Sequence, residues 1–154
     1  MIIEEKVTIQ IGALPFVICD NQVLVLLITS RTRGRWIVPK GKPMRDRSDS
    51  VAAGIEAFEE AGVVGPVHQD PIGSYEYLHL NSDGSHRPSR VTLFGLLAIE
   101  HRMEWKEKSE RIAAWRPLDA ATREVDDADL GRLLSDIHDE GAATLKGIAA
   151  TLGG

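Results

Sequence analysis

The sequence predicts a mixed α/β (α+β) fold, with strands and helices interleaved along the chain and a helical C-terminal end. Three observations predict it. Two runs rich in β-formers, residues 7–18 and 23–29, flank Asp20-Asn21. Residues 48–62 carry a helix start, a helix body and a helix stop. Residues 128–151 read as a C-terminal helix, with Gly141 as a point of interruption.

Taken in order, Asp20-Asn21 is a turn signal, so the first two runs form a hairpin. Residues 30–35 read as a second turn, with Gly34 supplying backbone freedom. Residues 36–38 form a short strand ended by Pro39, and residues 40–47 form a loop. Ser48 is the expected N-cap, and Asp49 in the first turn suits the helix dipole. The helix covers Asp49–Ala61, and Gly62 closes it. Residues 72–80 and 90–99 read as strands around the turn-rich Asn81-Ser82-Asp83-Gly84-Ser85. Residues 112–115 make a further short strand, and Pro117 opens a helical region at its first position.

The bulk numbers bound the function. At 154 residues the chain reads as one domain, residues 1–154, with 43% hydrophobic residues to fill a core. A net charge of −5 argues against a nucleic-acid-binding surface. The single Cys19 lies in an apolar stretch and reads as a buried small hydrophobe. Glu4 and Glu5 stand where a signal peptide would carry positive charge, and Asp20-Asn21-Gln22 breaks the apolar segment 11–28. A cytoplasmic protein with no membrane partner is the expectation.

Residues 36–63 carry the chemistry. On a helical wheel of about 100° per residue, Val51, Ile55, Phe58 and Gly62 share an arc of roughly 60°. Glu56, Glu59 and Glu60 share another, roughly 100° wide and directed away from it. The first arc reads as the core face. Acidic runs of this kind are commonly solvated, and carboxylates at i,i+4 repel. No Lys or Arg on the helix offsets them, while Lys40, Lys42, Arg45 and Arg47 precede it and Arg31, Arg33 and Arg35 lie further back. A hard cation such as Mg²⁺ takes oxygen ligands and joins carboxylates to phosphates. The basic side chains would meet the remaining phosphate oxygens.

Gly41, Glu56, Glu59, Glu60, Gly62 and Val63 resemble the Nudix box, whose register from Gly41 to Gly62 matches without a gap. The segments Trp36-Ile37-Val38-Pro39-Lys40-Gly41, Leu27-Ile28-Thr29-Ser30-Arg31 and residues 109–120 are similar to the diphosphoinositol polyphosphate phosphohydrolase-like branch. Two box positions depart, making the box degenerate: Arg47 stands where the family has Glu, and Ile55 where it has Arg. The lost pair is charge-opposed, and losing both members is less damaging than losing one. Ile55 falls in the apolar arc and would join the core.

The resemblance implies an α/β/α sandwich with a mixed central sheet. It also implies Mg²⁺-dependent hydrolysis of a pyrophosphate bond, with Mn²⁺ as the other candidate metal. By matched position Glu56 and Glu60 would ligate metal, the Gly41 carbonyl would complete the shell, and Glu59 would accept the proton or add a ligand. Glu104 and Glu107 lie downstream and read as surface charge. Arg31, Lys40, Lys42, Arg45, Arg47 and Arg111 are the expected substrate contacts. The implied partner is a phosphorylated small molecule of diphosphoinositol or diadenosine polyphosphate type. A nucleotide-sugar or nucleoside triphosphate pyrophosphatase, and a ligand-binding module without catalysis, are the other readings. The family also implies a homodimer as a possible assembly.

Overall fold

A computed structural model describes residues 6–153, so Glu4 and Glu5 lie outside the described residues. Strands β1 (Thr8–Cys19) and β2 (Gln22–Thr29) form the expected hairpin, with Cys19 opposite Gln22. Asp20 and Asn21 both take positive φ, 50° and 67°, the backbone that a two-residue turn between twisted strands requires. β3 (Trp36–Ile37) pairs with β2, and β4 (Lys40–Gly41) pairs with β1. Helix α1 covers Asp49–Ala61 as the sequence predicts; Ser48 accepts from the Val51 amide and Gly62 closes the helix at φ 72°.

After the short β5 (Val63–Val64), strands β6 (Gly73–Leu80) and β7 (His86–Leu97) form a second hairpin. β8 (Glu100–His101) pairs with β5. β9 (Ala113–Pro117) returns to β2, and helices α2 (Leu118–Glu124), α3 (Ala128–Asp139) and α4 (Ala143–Gly153) complete the described chain. The C-terminal helical stretch is interrupted where the sequence places the interruption, and so forms two helices, α3 and α4. Gly141 and Ala142 take φ values of 73° and 58° and break it at the glycine.

The main sheet runs β3-β2-β1-β7-β6. Its pairs are antiparallel except β1–β7, which is parallel, so the sheet is mixed. The period-two alternation of strand side chains splits the core into two layers. Ile11, Ala13, Leu26, Ile28, Phe94 and Leu96 pack with the alanines of α1. Leu14, Phe16, Val25, Leu27, Val91 and Leu93 pack with α2, α3 and α4. The result is an α/β/α sandwich. Cys19, expected in the core, is exposed at the end of β1 beside the turn. None of the helices among the described residues is long and apolar enough to cross a membrane.

Candidate active site

Helix α1 packs with the opposite face from the one its large apolar residues suggest. Its buried residues are Ala52, Ala53, Ala57, Glu60 and Ala61. Val51 and Phe58 are 49% and 41% exposed. Ile55 is half-buried and lines a surface groove with them, so it does not join the core as expected. On the wheel, Glu60 falls at the middle of the alanine arc, which is why a carboxylate is carried inward. The small side chains let the helix lie close to the sheet, where larger ones would hold it off.

Glu60 is only 5% exposed. Its Oε1 accepts from the Lys40 amide at 3.4 Å and lies 3.6 Å from Arg111 Nη2. Burial raises its pKa most, and hydrogen bonding with the Glu56 carboxyl raises it further, up to about 9 against the opposing pull of Arg111. Each carboxyl opposes ionisation of the other, and Arg111 offsets this only in part. Gly41 crosses directly over Glu56: a β-carbon at position 41 would stand 2.5 Å from Glu56 Cδ. The helix end is held by Trp105, whose Nε1 donates to the Glu60 carbonyl at 3.1 Å. The Trp105 ring lies 2.4 Å from where a β-carbon on Gly62 would stand.

Arg111 is the fixed cation of this centre, with its side chain 8% exposed. Its Nε donates to Glu107 Oε1 at 2.9 Å and its Nη1 to the Thr29 carbonyl at 3.0 Å. Glu107, expected on the surface, is thus drawn into the site, and its amide donates to the Glu59 carbonyl at 3.1 Å. Glu104 does stay outside, paired with Lys108 at 3.2 Å. Glu59 is half-buried, with Lys106 Nζ 3.9 Å from its Oε2.

Glu60 and Arg111 lie in a cleft of about 570 Å³ that Arg31, Arg33, Arg35, Lys40 and Asp127 also line. Burial lowers the pKa of the Lys40 ammonium, against Glu60 and Asp127, which raise it. The same ammonium stands 5.0 Å over the Tyr77 ring, a cation–π contact. Arg31 reaches Glu110 at 3.7 Å across the rim. Leu78, His79 and Leu80 of β6 form the facing wall.

Of the predicted substrate contacts, Arg31, Lys40 and Arg111 line this cleft. Lys42, Arg45 and Arg47 are exposed on the loop between β4 and α1 and do not line it. Arg33 and Arg35 belong to the same basic run as Arg31, and that run was their only sequence signal. Tyr77 and Asp127 carried none, because the sheet and the α2–α3 connection bring them in.

Glu56 and Glu60 are two oxygen donors held together, one of them buried with its pKa pushed well above the usual carboxyl range. That donor set suits a hard divalent ion. Glu59 does not join them: among the described residues no three His, Cys, Asp or Glu side chains are grouped to share an ion. The remaining ligands would come from backbone, water and substrate.

Solved structures with this architecture are plain. The chain matches a MutT protein from Methanosarcina mazei Go1 with a TM-score of 0.68 at 20% identity, over 90% of this chain and 97% of that one. A C. elegans Ap4A hydrolase binary complex matches with a TM-score of 0.65 at 21% identity, over 88% and 98%. The Nudix domain of Shewanella oneidensis NrtR complexed with ADP ribose matches with a TM-score of 0.65 at 18% identity, over 89% and 90%. This is a Nudix fold. No protein-family model matches the chain. In sequence, the chain is similar to Nudix hydrolase 13, mitochondrial, of Arabidopsis thaliana, 34% identical over 62% of this chain and 50% of that one. It is also similar to Nudix hydrolase 4 of the same plant, 33% identical over 69% of this chain and 49% of that one. The chain spans about half the length of these relatives. Relatives and folds together support the Nudix hydrolase family.

Proposed function

We propose that this Nudix domain hydrolyses a pyrophosphate bond in a highly phosphorylated small molecule, with Mg²⁺ or Mn²⁺ as cofactor. The observation that carries the reading is the pairing of half-buried Glu56 with buried Glu60 beside a cleft lined by Arg31, Arg33, Arg35, Lys40 and Arg111. Two neighbouring carboxyls at the edge of a basic cleft have few structural uses. Burial alone would select an apolar side chain at position 60.

Glu56 and Glu60 would hold the ion, together with the Gly41 carbonyl. When bound, the ion supplies charge neutralisation at the phosphoryl oxygens and an acidified water. Arg111, fixed by Glu107 and Thr29, keeps the Glu60 carboxylate in place. Arg31, Arg33, Arg35 and Lys40 would bind the phosphate chain and hold it for in-line attack. Glu59 is the assigned proton acceptor, since Glu107 is committed to Arg111. Such a base contributes about 10²–10⁴-fold.

Arg47 and Ile55 do not line the cleft, and Glu56 still stands beside Glu60 despite the two departures from the family box. That favours an enzyme over a binding module without catalysis. Tyr77, Leu78 and Leu80 on the facing wall favour a substrate that carries a nucleoside as well as phosphates, as a dinucleoside polyphosphate does.

The test is release of phosphate or nucleotide from dinucleoside polyphosphates, diphosphoinositol polyphosphates and sugar nucleotides with Mg²⁺ or Mn²⁺. Turnover of a polyphosphate substrate that chelator abolishes is expected. Binding of the same ligands with no turnover under either metal sinks the reading.

A further inference from the structure

Asp127 occupies the N-cap of α3 and does not cap it. Aspartate at that position ordinarily accepts an amide of the first turn and stabilises the helix. Here no such bond forms. The carboxylate turns instead to Arg35, whose Nη2 donates to Oδ1 at 3.2 Å. The aspartate side chain is 6% exposed and the arginine side chain 33%.

The surrounding backbone reinforces the contact. The Trp36 amide donates to Asp126 Oδ2 at 2.5 Å, and the Asp126 amide donates back to the Trp36 carbonyl at 3.1 Å. The α2–α3 connection therefore grips the start of β3 in both directions, one residue along from the Arg35–Asp127 pair. Arg35 and Asp127 both line the cleft. A residue that forgoes a local stabilising bond for a distant one marks a place where local and global demands differ, and such places tend to be functional.

We propose that Asp127 is a positioning residue: it fixes the Arg35 guanidinium as a preset ligand for a phosphate oxygen in the cleft. This rests on the polyphosphate reading above and adds to it a named anchor and the group that aims it. Arginine has a long, rotamer-rich side chain, and a guanidinium already held loses less freedom when anion binds. Asp127 takes one N–H of Nη2, and the guanidinium has four further N–H donors with which to meet an anion.

The alternative makes the opposite prediction. A carboxylate in an anion-binding cleft repels the anion, so a merely structural Asp127 weakens phosphate binding and its removal tightens it. A positioning Asp127 strengthens binding and its removal weakens it. The sign of the change separates the two.

The experiment is calorimetric titration of the full chain with inorganic tripolyphosphate in the presence of chelator, alongside thermal unfolding. Asp127→Ser supplies a good helix cap, so Tm should hold or rise, while tripolyphosphate binding should weaken about tenfold, as when a charged hydrogen-bond ligand is lost. Asp127→Asn keeps the shape and should weaken binding in the same direction, which covers the case of a poorly folding serine variant. Asp127→Glu should recover part of the affinity. The double variant Asp127→Ser with Arg35→Ala should bind no more weakly than Arg35→Ala alone, because Asp127 acts through Arg35. Equal or tighter binding by Asp127→Ser and Asp127→Asn, additive losses in the double variant, or no binding by the wild type each overturn the proposal. Because chelator removes turnover from the measurement, a protein that hydrolyses nothing but shows this order of affinities would sink the enzyme reading alone.

Discussion

Gly41 sits so close over Glu56 that a β-carbon there would stand 2.5 Å from the carboxyl carbon. The obstacle is the tip of a flexible side chain, so Gly41→Ala should fold with little loss of stability while Glu56 is pushed from its place beside Glu60. The expected result is a Tm within a few degrees of wild type and a loss of kcat of at least about tenfold, the order set by one misplaced ligand. Equal kcat in the two proteins would show that Glu56 does not need its present position.

Glu60→Gln keeps the shape of the acidic pair and removes the charge. Activity should collapse while the fold survives. The metal-free protein offers a second measurement. The folded pKa of Glu60 is raised from 4.5 to about 9, so its contribution to stability is complete below about 4.5 and is lost as pH rises through about 9. In chelator, wild-type Tm should therefore fall across that window and the Glu60→Gln curve should be flatter. Parallel curves would mean that Glu60 is not the protonated member of the pair.

Position 57 should tolerate enlargement far less than position 58 tolerates loss. Ala57 is fully buried against the sheet, whereas Phe58 is 41% exposed. Ala57→Leu should cost about 1–3 kcal/mol by overpacking. Phe58→Gln should cost less than about 1 kcal/mol. Urea denaturation of the two variants measures both, and the reverse order would restore the large apolar residues of α1 to the core.

Arg45 stands much nearer the acidic helix in sequence than Arg31, yet only Arg31 lines the cleft. For the substrate that turns over, Arg31→Ala should raise KM roughly tenfold, the loss of one charged phosphate contact. Arg45→Ala should leave KM unchanged. A comparable rise in both would place the phosphate chain along the β4–α1 loop as well.

Local signals were the legible ones. Ser48 and Gly62 bound α1 because capping depends on neighbours within four residues. The same holds for the Asp20-Asn21 turn and for the register from Gly41 to Gly62. The buried face of α1 was not legible, because Val51, Ile55 and Phe58 outweigh alanines on any scale of hydrophobicity. What decides the packing is how closely the helix must approach β1, and that is a property of the sheet. Glu107 and Asp127 were invisible for a related reason. Asp127 enters the site through Arg35, far away in the chain, and Glu107 is carried in by the docking of its loop on the end of α1, through its amide to the Glu59 carbonyl; charge alone marks neither apart from solvated neighbours.

The parallel pairing of β1 with β7 runs from Thr8 opposite Ser89 to Phe16 opposite Leu97. Contacts this far apart along the chain close slowly, since loop entropy is lost before they form. Gly41 is held by β1 at Ile11, so the backbone that covers Glu56 is anchored to a strand still lacking one partner until residue 97 has left the ribosome. During synthesis β1 therefore waits with an open edge, a period in which a nascent chain is prone to associate with others. The acidic pair should therefore mature only after β7 has docked, and the ability to hold a divalent ion would then report that this long-range pairing is made.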